Sequence, residues 1–144
     1  MQAKTQLRKR ENGFTLLEIM VVLVILGLLA AVVAPNVLGT QDKGMVKKVH
    51  ADLAVLEQAI DMYKVDNFSF PTTDEGLEAL VNKPAGKTLK NYTEGGYIKR
   101  LPADPWGNPY QYLSPGKHGK YDVFSLGADG QLGGEGQAQD IGNW

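Results

Sequence analysis

Phe14-Thr-Leu-Leu-Glu-Ile-Met-Val-Val-Leu-Val-Ile-Leu-Gly-Leu-Leu-Ala-Ala-Val-Val-Ala34 is the stretch that decides the fold of this chain. It is apolar apart from Thr15 and Glu18, and no charge follows between Ile19 and Gln41. As a helix, about 21 residues reach roughly 31 Å, enough to span a hydrocarbon core. One carboxylate breaks the pattern. A charge in that setting costs on the order of 3 kcal/mol on insertion scales, so Glu18 calls for a dedicated partner.

Ahead of the run lies a basic leader, residues 1–13. It carries Lys4, Arg8, Lys9 and Arg10 against Glu11 alone, a net +3, which leaves −4 on the rest of a 144-residue chain whose total is −1. Basic residues before the apolar run place the leader in the cytoplasm and the C-terminal body across the membrane. A mildly acidic body speaks against nucleic acid as a partner, because phosphate binding needs a basic surface. The chain has no cysteine, which excludes disulfides, thiolate metal sites and a Cys nucleophile. Anything that staples the small domain must then be something other than a disulfide, such as a metal ion.

Beyond the run, Pro35 removes a helical hydrogen bond and predicts a bend between Gly27 and Pro35. From Met45 the pattern turns amphipathic. Val46, Val49, Leu53, Leu56, Ile60 and Tyr63 recur at spacings of three and four, with Lys47, Lys48, Asp52, Gln58, Asp61 and Lys64 on the other faces. The expectation is one helix from Phe14 to about Asp66, its second half covering a core. A coiled-coil dimer is the alternative, but a globular domain follows at once and needs a surface to pack on. Pro71 stops the helix, and Thr72-Thr-Asp-Glu75 reads as a capping box for a short helix with Leu77, Leu80 and Val81 inward. Short β-type runs then alternate with turns: Gly96-Tyr-Ile98, Tyr110-Gln-Tyr-Leu113 and Tyr121-Asp-Val-Phe124. The fold class is α+β, with a small three-stranded antiparallel sheet laid on the long helix.

Three readings compete for the N-terminal segment. A secretory signal peptide is the common one, but Val32-Val33-Ala34 runs into Pro35 and Glu18 sits in what should be an uncharged region. A plain membrane anchor explains the length and leaves Glu18 unexplained. The third accounts for every residue: Gly13-Phe14-Thr15-Leu16-Leu17-Glu18 resembles the processing motif of type IV pilin-like proteins. The resemblance implies that a prepilin peptidase cuts after Gly13 and N-methylates Phe14. Cleavage creates an α-amino cation at Phe14, and Glu18 is an anion one turn away or on a neighbouring subunit, so pairing removes two isolated charges.

The resemblance narrows further along. Leu56-Glu-Gln-Ala-Ile-Asp-Met-Tyr63, Phe70-Pro-Thr-Thr73, Gly76-Leu-Glu-Ala-Leu80, Gly96-Tyr-Ile-Lys-Arg-Leu-Pro-Ala-Asp-Pro-Trp-Gly-Asn108 and Asp140-Ile-Gly-Asn-Trp144 are similar to the major pseudopilins of the type II secretion system. The similarity covers nearly the whole chain. It implies a pilin-like fold in three parts: a cleaved leader (1–13), a transmembrane and filament-core helix (14–38), and a periplasmic head (39–144). The implied function is a homopolymeric pseudopilus subunit that supports export of folded proteins across the outer membrane. Implied partners are minor pseudopilins, the prepilin peptidase, and the inner-membrane assembly platform with its ATPase.

The tail, Ser125 to Asp140, sets three acidic residues in a glycine-rich loop, which is more often a flexible hairpin than a metal site. Its spacing matches no EF-hand, yet carboxylates and bent backbone suit Ca²⁺. The resemblance implies a bound calcium, with Asp129 and Asp140 as side-chain ligands and the carbonyls of Leu126 and Gln131 beside them. Glu57 and Asp61 lie one turn apart, and Lys99-Arg100 carry the opposite sign in a loop. Such pairs are worth little when solvated; pairing across neighbouring subunits is the hypothesis. His50 and His118 read as lone surface residues, and Asn67-Phe-Ser and Asn91-Tyr-Thr as chance matches to a glycosylation pattern. No nucleophile–base constellation or phosphate loop is visible. Another pilin-like filament, or a membrane-anchored periplasmic binding domain that never polymerises, are the competing functions.

Overall fold

The computed structural model describes residues 13–144, apart from the side chains of residues 33–40. It divides into two compact units, one ending at Thr40 and one running Gln41–Trp144. Helix α1 covers Leu16–Asn67. A bend is expected between Gly27 and Pro35; α1 continues through that stretch, and the side chains of residues 33–35 lie outside the described ones.

In the second unit α1 buries the stripe its spacing predicts. Val49, Leu53, Leu56, Ile60 and Tyr63 are each at most 2% exposed, and each such side chain contributes about 1.5–3 kcal/mol. Val46 departs from the stripe at 37% exposure; it lines a groove with Trp106 and Ile141 instead. Around Tyr63 stand Tyr92 and Tyr97, ring centroids 6.2 and 5.5 Å away in edge-on contact. Burial, then the charge of Glu75, pushes the Tyr63 phenol up to about 12.

The capping box forms as expected: Thr72 N–H donates to Glu75 Oε2 (2.8 Å) and Glu75 N–H to Thr72 Oγ1 (3.2 Å). Beyond the box the chain makes only a 3₁₀ turn, Leu77–Leu80. Gly76, at φ +60°, is the reason, since that conformation interrupts right-handed propagation.

Strands β1 (Gln111–Leu113), β2 (Asp122–Ser125) and β3 (Ile141–Gly142) form an antiparallel sheet in the order β1-β2-β3. Tyr112 pairs with Val123, and Ser125 with Ile141. Tyr112 and Val123 join the core of α1. The third strand is a correction to the expectation: Gly96–Ile98 does not join the sheet. The N–H groups of Tyr97 and Ile98 both donate to the Leu80 carbonyl, at 2.7 and 3.2 Å, so their ladder positions are spent on the 3₁₀ turn. The tail supplies β3, where Gly142 lies under the Trp144 ring with no room for a Cβ.

Candidate functional site

At the N-terminus, Thr15 caps α1. Its carbonyl accepts from Ile19 N–H (3.3 Å) and its hydroxyl from Glu18 N–H (3.2 Å). Thr15-Leu-Leu-Glu18 is thus a capping sequence, a signal the sequence carried and its reading missed. The first-turn position gives the Glu18 carboxylate a favourable helix dipole, typically about 0.3–1 kcal/mol. That is less than a charge in an apolar layer costs. Among the described residues no cation pairs with Glu18. Every large apolar side chain from Phe14 to Val32 is exposed, Leu16 at 81% and Val32 at 76% among them. Among the described residues no helix is long and apolar enough to cross a membrane; the apolar run continues into residues 33–40, which lie outside that description. Such a surface demands cover from lipid or from protein.

On the head, Asp61, Lys99 and Arg100 are exposed, and among the described residues none of them forms an ion pair. Glu57 differs: half-buried, it accepts from Asn143 Nδ2 at 3.4 Å. Burial first, then the charges of Asp61 and Glu57, raise the Tyr121 phenol well above its ordinary range, which places both carboxylates near that ring. His118 is not the lone residue its sequence context suggests. Its Nδ1 lies 3.0 Å from Asp122 Oδ2, and its ring stacks on Trp144 with centroids 3.9 Å apart. Burial alone would raise the Asp122 carboxyl, but hydrogen bonds from Lys117 N–H and His118 outweigh it and hold the group below its usual value.

The tail hangs on a carboxylate to which sequence reasoning gave no role. Asp104, 4% exposed, accepts from Trp106 N–H (3.1 Å), Asn108 N–H (2.7 Å) and Ser125 Oγ (2.6 Å). Ser125 Oγ in turn accepts from Gly127 N–H (3.1 Å), and Asn108 Nδ2 donates to the Gly127 carbonyl (3.3 Å). The turn around Asp104-Pro-Trp-Gly-Asn108 therefore positions the start of the glycine-rich loop. An aspartate followed by turn residues was the available signal.

Of the four expected calcium ligands, Leu126 and Asp140 line one groove of about 560 Å³. Asp129 and Gln131 are exposed and do not line it; they share a local turn, Gln131 N–H to Asp129 Oδ1 at 3.1 Å. Asp140 Oδ2 accepts from Gly133 N–H (2.9 Å), while its Oδ1 is buried without a hydrogen-bond partner among the described residues. A buried carboxylate oxygen in that state calls for a donor, a water or a cation. Among the described residues there is no cluster of three or more carboxylate or imidazole side chains. An ion here has to take backbone oxygens too, which Ca²⁺ accepts readily. Asp140 and Leu126 fit such an ion, whereas Asp129 and Gln131 are not brought to the same groove.

Residues 36–144 match the model of type II secretion system protein G, and residues 8–34 the prokaryotic N-terminal methylation motif. A type II secretion system core protein G from Vibrio cholerae is 63% identical, over 94% of this chain and 93% of the relative. One from Pseudomonas aeruginosa is 55% identical, over 95% and 97%. The crystal structure of the major pseudopilin of enterohaemorrhagic Escherichia coli superposes with a TM-score of 0.68 at 50% identity, over 76% of this chain and 95% of that one.

Proposed function

This chain belongs to the type II secretion system protein G family, and on that premise we propose how its residues build a pseudopilus. It is a structural subunit of that filament. A prepilin peptidase cuts between Gly13 and Phe14 on the cytoplasmic side and methylates the new N-terminus. The apolar half of α1 then holds the subunit in the inner membrane with its head in the periplasm. The assembly platform and its ATPase extract it, minor pseudopilins start the filament, and further copies extend it.

One observation carries this reading: apolar side chains from Phe14 to Val32 stand exposed around a helix whose Glu18 has no cation among the described residues. Packing such helices together removes apolar area from water or lipid and brings Glu18 to an α-amino group. Asp61 pairs across subunits with Lys99 or Arg100, and Glu57, already held by Asn143, adds to that acidic face. A calcium ion held by Asp129, Asp140 and the carbonyls of Leu126 and Gln131 would supply electrostatic cross-linking of the tail and no redox chemistry.

Three measurements test it. Mass spectrometry of the mature chain should show N-methylated Phe14; an N-terminus near Pro35 would overturn processing. Glu18→Leu should insert in the membrane but yield no filaments, whereas a simple anchor would be indifferent to the change. Charge reversal at Asp61 rescued by reversal at Arg100 supports the inter-subunit pair, and absence of rescue counts against it.

A further inference from the structure

Phe68 adopts a conformation that bulky residues avoid. Its φ is +60°, and it is the only non-glycine residue with positive φ among the described residues. Its N–H donates to the Lys64 carbonyl at 2.8 Å, which is the bond of a left-handed helix cap, a position normally held by Gly or Asn. The suitable residue stands one place too early. Asn67 instead spends its amide on the Tyr63 carbonyl (2.9 Å) and the Tyr97 hydroxyl (2.8 Å). The cap therefore forces an aromatic residue into a strained backbone and leaves its side chain 83% exposed. Neither feature helps the folded head.

The ring is not isolated. Met62 and Val65 lie three residues apart on α1, at 49% and 73% exposure, Val55 (50%) lies two turns before Met62, and Phe68 (83%) follows Val65 just past the end of the helix. This stripe is separate from the buried one. Gln58, Asp61 and Asp66 border Met62 and Val65 in a shallow groove. Scattered surface apolar residues need no explanation, but a stripe ending in a strained aromatic does.

Its complement is present on the same head. Lys99 and Arg100 are exposed and, among the described residues, without ion-pair partners. They are flanked by Ile98 and Leu101, both only partly buried. A basic loop with apolar shoulders suits an apolar groove with a carboxylate at its edge. Two different patches that fit each other make a head-to-tail contact, which propagates instead of closing.

We propose that Met62, Val65 and Phe68 form the anchoring patch on which a second copy of this chain docks its Ile98–Leu101 loop, with Phe68 held outward by its left-handed backbone for that contact. The inference rests on the filament reading above and adds to the charge pair an apolar anchor with a conformational cause. Phe68→Asn and Phe68→Gly in the full-length chain separate docking from folding, because both residues suit the backbone better. The unfolding midpoint in detergent should stay level or rise, while the subunit concentration needed for filament assembly rises at least tenfold. Normal assembly of both variants, or parallel loss of stability and assembly, overturns the proposal. The chain has no cysteine of its own, so a Val65→Cys/Lys99→Cys variant gives an independent readout. Oxidation of its filaments should produce a ladder of cross-linked multimers, and monomers only would overturn the contact. Phe68 variants that assemble normally while Glu18→Leu does not would sink the docking patch alone; assembly of Glu18→Leu as well would sink the filament reading.

Discussion

Replacing Asp104 with alanine removes the acceptor for three donors at once. Ser125, fully buried, would lose its 2.6 Å bond, and the N–H groups of Trp106 and Asn108 would lose theirs at 3.1 and 2.7 Å. A buried donor left unpaired costs about 1–3 kcal/mol. The two backbone donors are only part-buried and regain some water, so the sum expected is about 3–5 kcal/mol. Against a total stability of about 5–15 kcal/mol for a domain of this kind, that is a large fraction. It corresponds to a fall in melting temperature of at least about 12 °C. Asp104→Asn keeps one acceptor oxygen for the backbone pair, and its amide donates to Ser125 Oγ, so about 1–2 kcal/mol is expected there. Urea unfolding of the full-length chain in mild detergent, followed through Trp106 fluorescence, measures both. An alanine variant within about 0.5 kcal/mol of the parent would refute the reasoning, and so would an asparagine variant as costly as the alanine.

Gly96→Ala should cost about 2–4 kcal/mol by the same assay, because φ is +80° and a Cβ would lie 2.5 Å from the Val81 carbonyl oxygen and 2.7 Å from that of Leu80. For acid stability, burial alone would raise both Asp122 and Glu75, yet hydrogen bonds from Lys117 and His118 to the first, and from Thr72 and Lys87 to the second, lower them on balance. Groups lowered by folding contribute stability that is complete above their unfolded values, roughly 3.9 and 4.3, and is lost as pH falls through the folded ones. Unfolding free energy should therefore decline below about pH 4, with a shallower decline in Asp122→Asn and Glu75→Gln; unchanged slopes would contradict the assignment. Calcium at 100 times its dissociation constant would add about 2.7 kcal/mol. A chelator should thus lower the melting temperature of the parent but not of Asp140→Asn, and no shift in the parent would sink the calcium site.

The parts of this fold that could be read from the chain are those governed by nearby residues. The course of α1, the buried stripe from Val49 to Tyr63, the capping box at Thr72 and the strand pair around Val123 each follow from spacing or from contacts within a few positions. The Thr15–Glu18 cap is equally local, but treating Glu18 only as a charge in an apolar run hides it. Gly76 illustrates the limit of local reading: the box forms, but one residue with positive φ cuts the helix to a single 3₁₀ turn.

By itself the sequence determined the apolar helix, the acidic residue at its start, the N-terminal methylation motif around them and the family to which these belong. Those are properties of composition and short-range pattern. Tertiary structure alone decided that the tail supplies the third strand and that Asp104 carries the turn beneath the glycine-rich loop. It also decided that Asp140 is left with a buried oxygen that has no hydrogen-bond partner among the described residues, and that Phe68 stands outward. Each depends on which distant groups meet: Asp104 with Ser125, Gly142 with Trp144, Asn67 with Tyr97. Hydrogen bonds and close packing act over a few ångströms of space, whatever the separation along the chain, and a linear pattern does not contain those meetings.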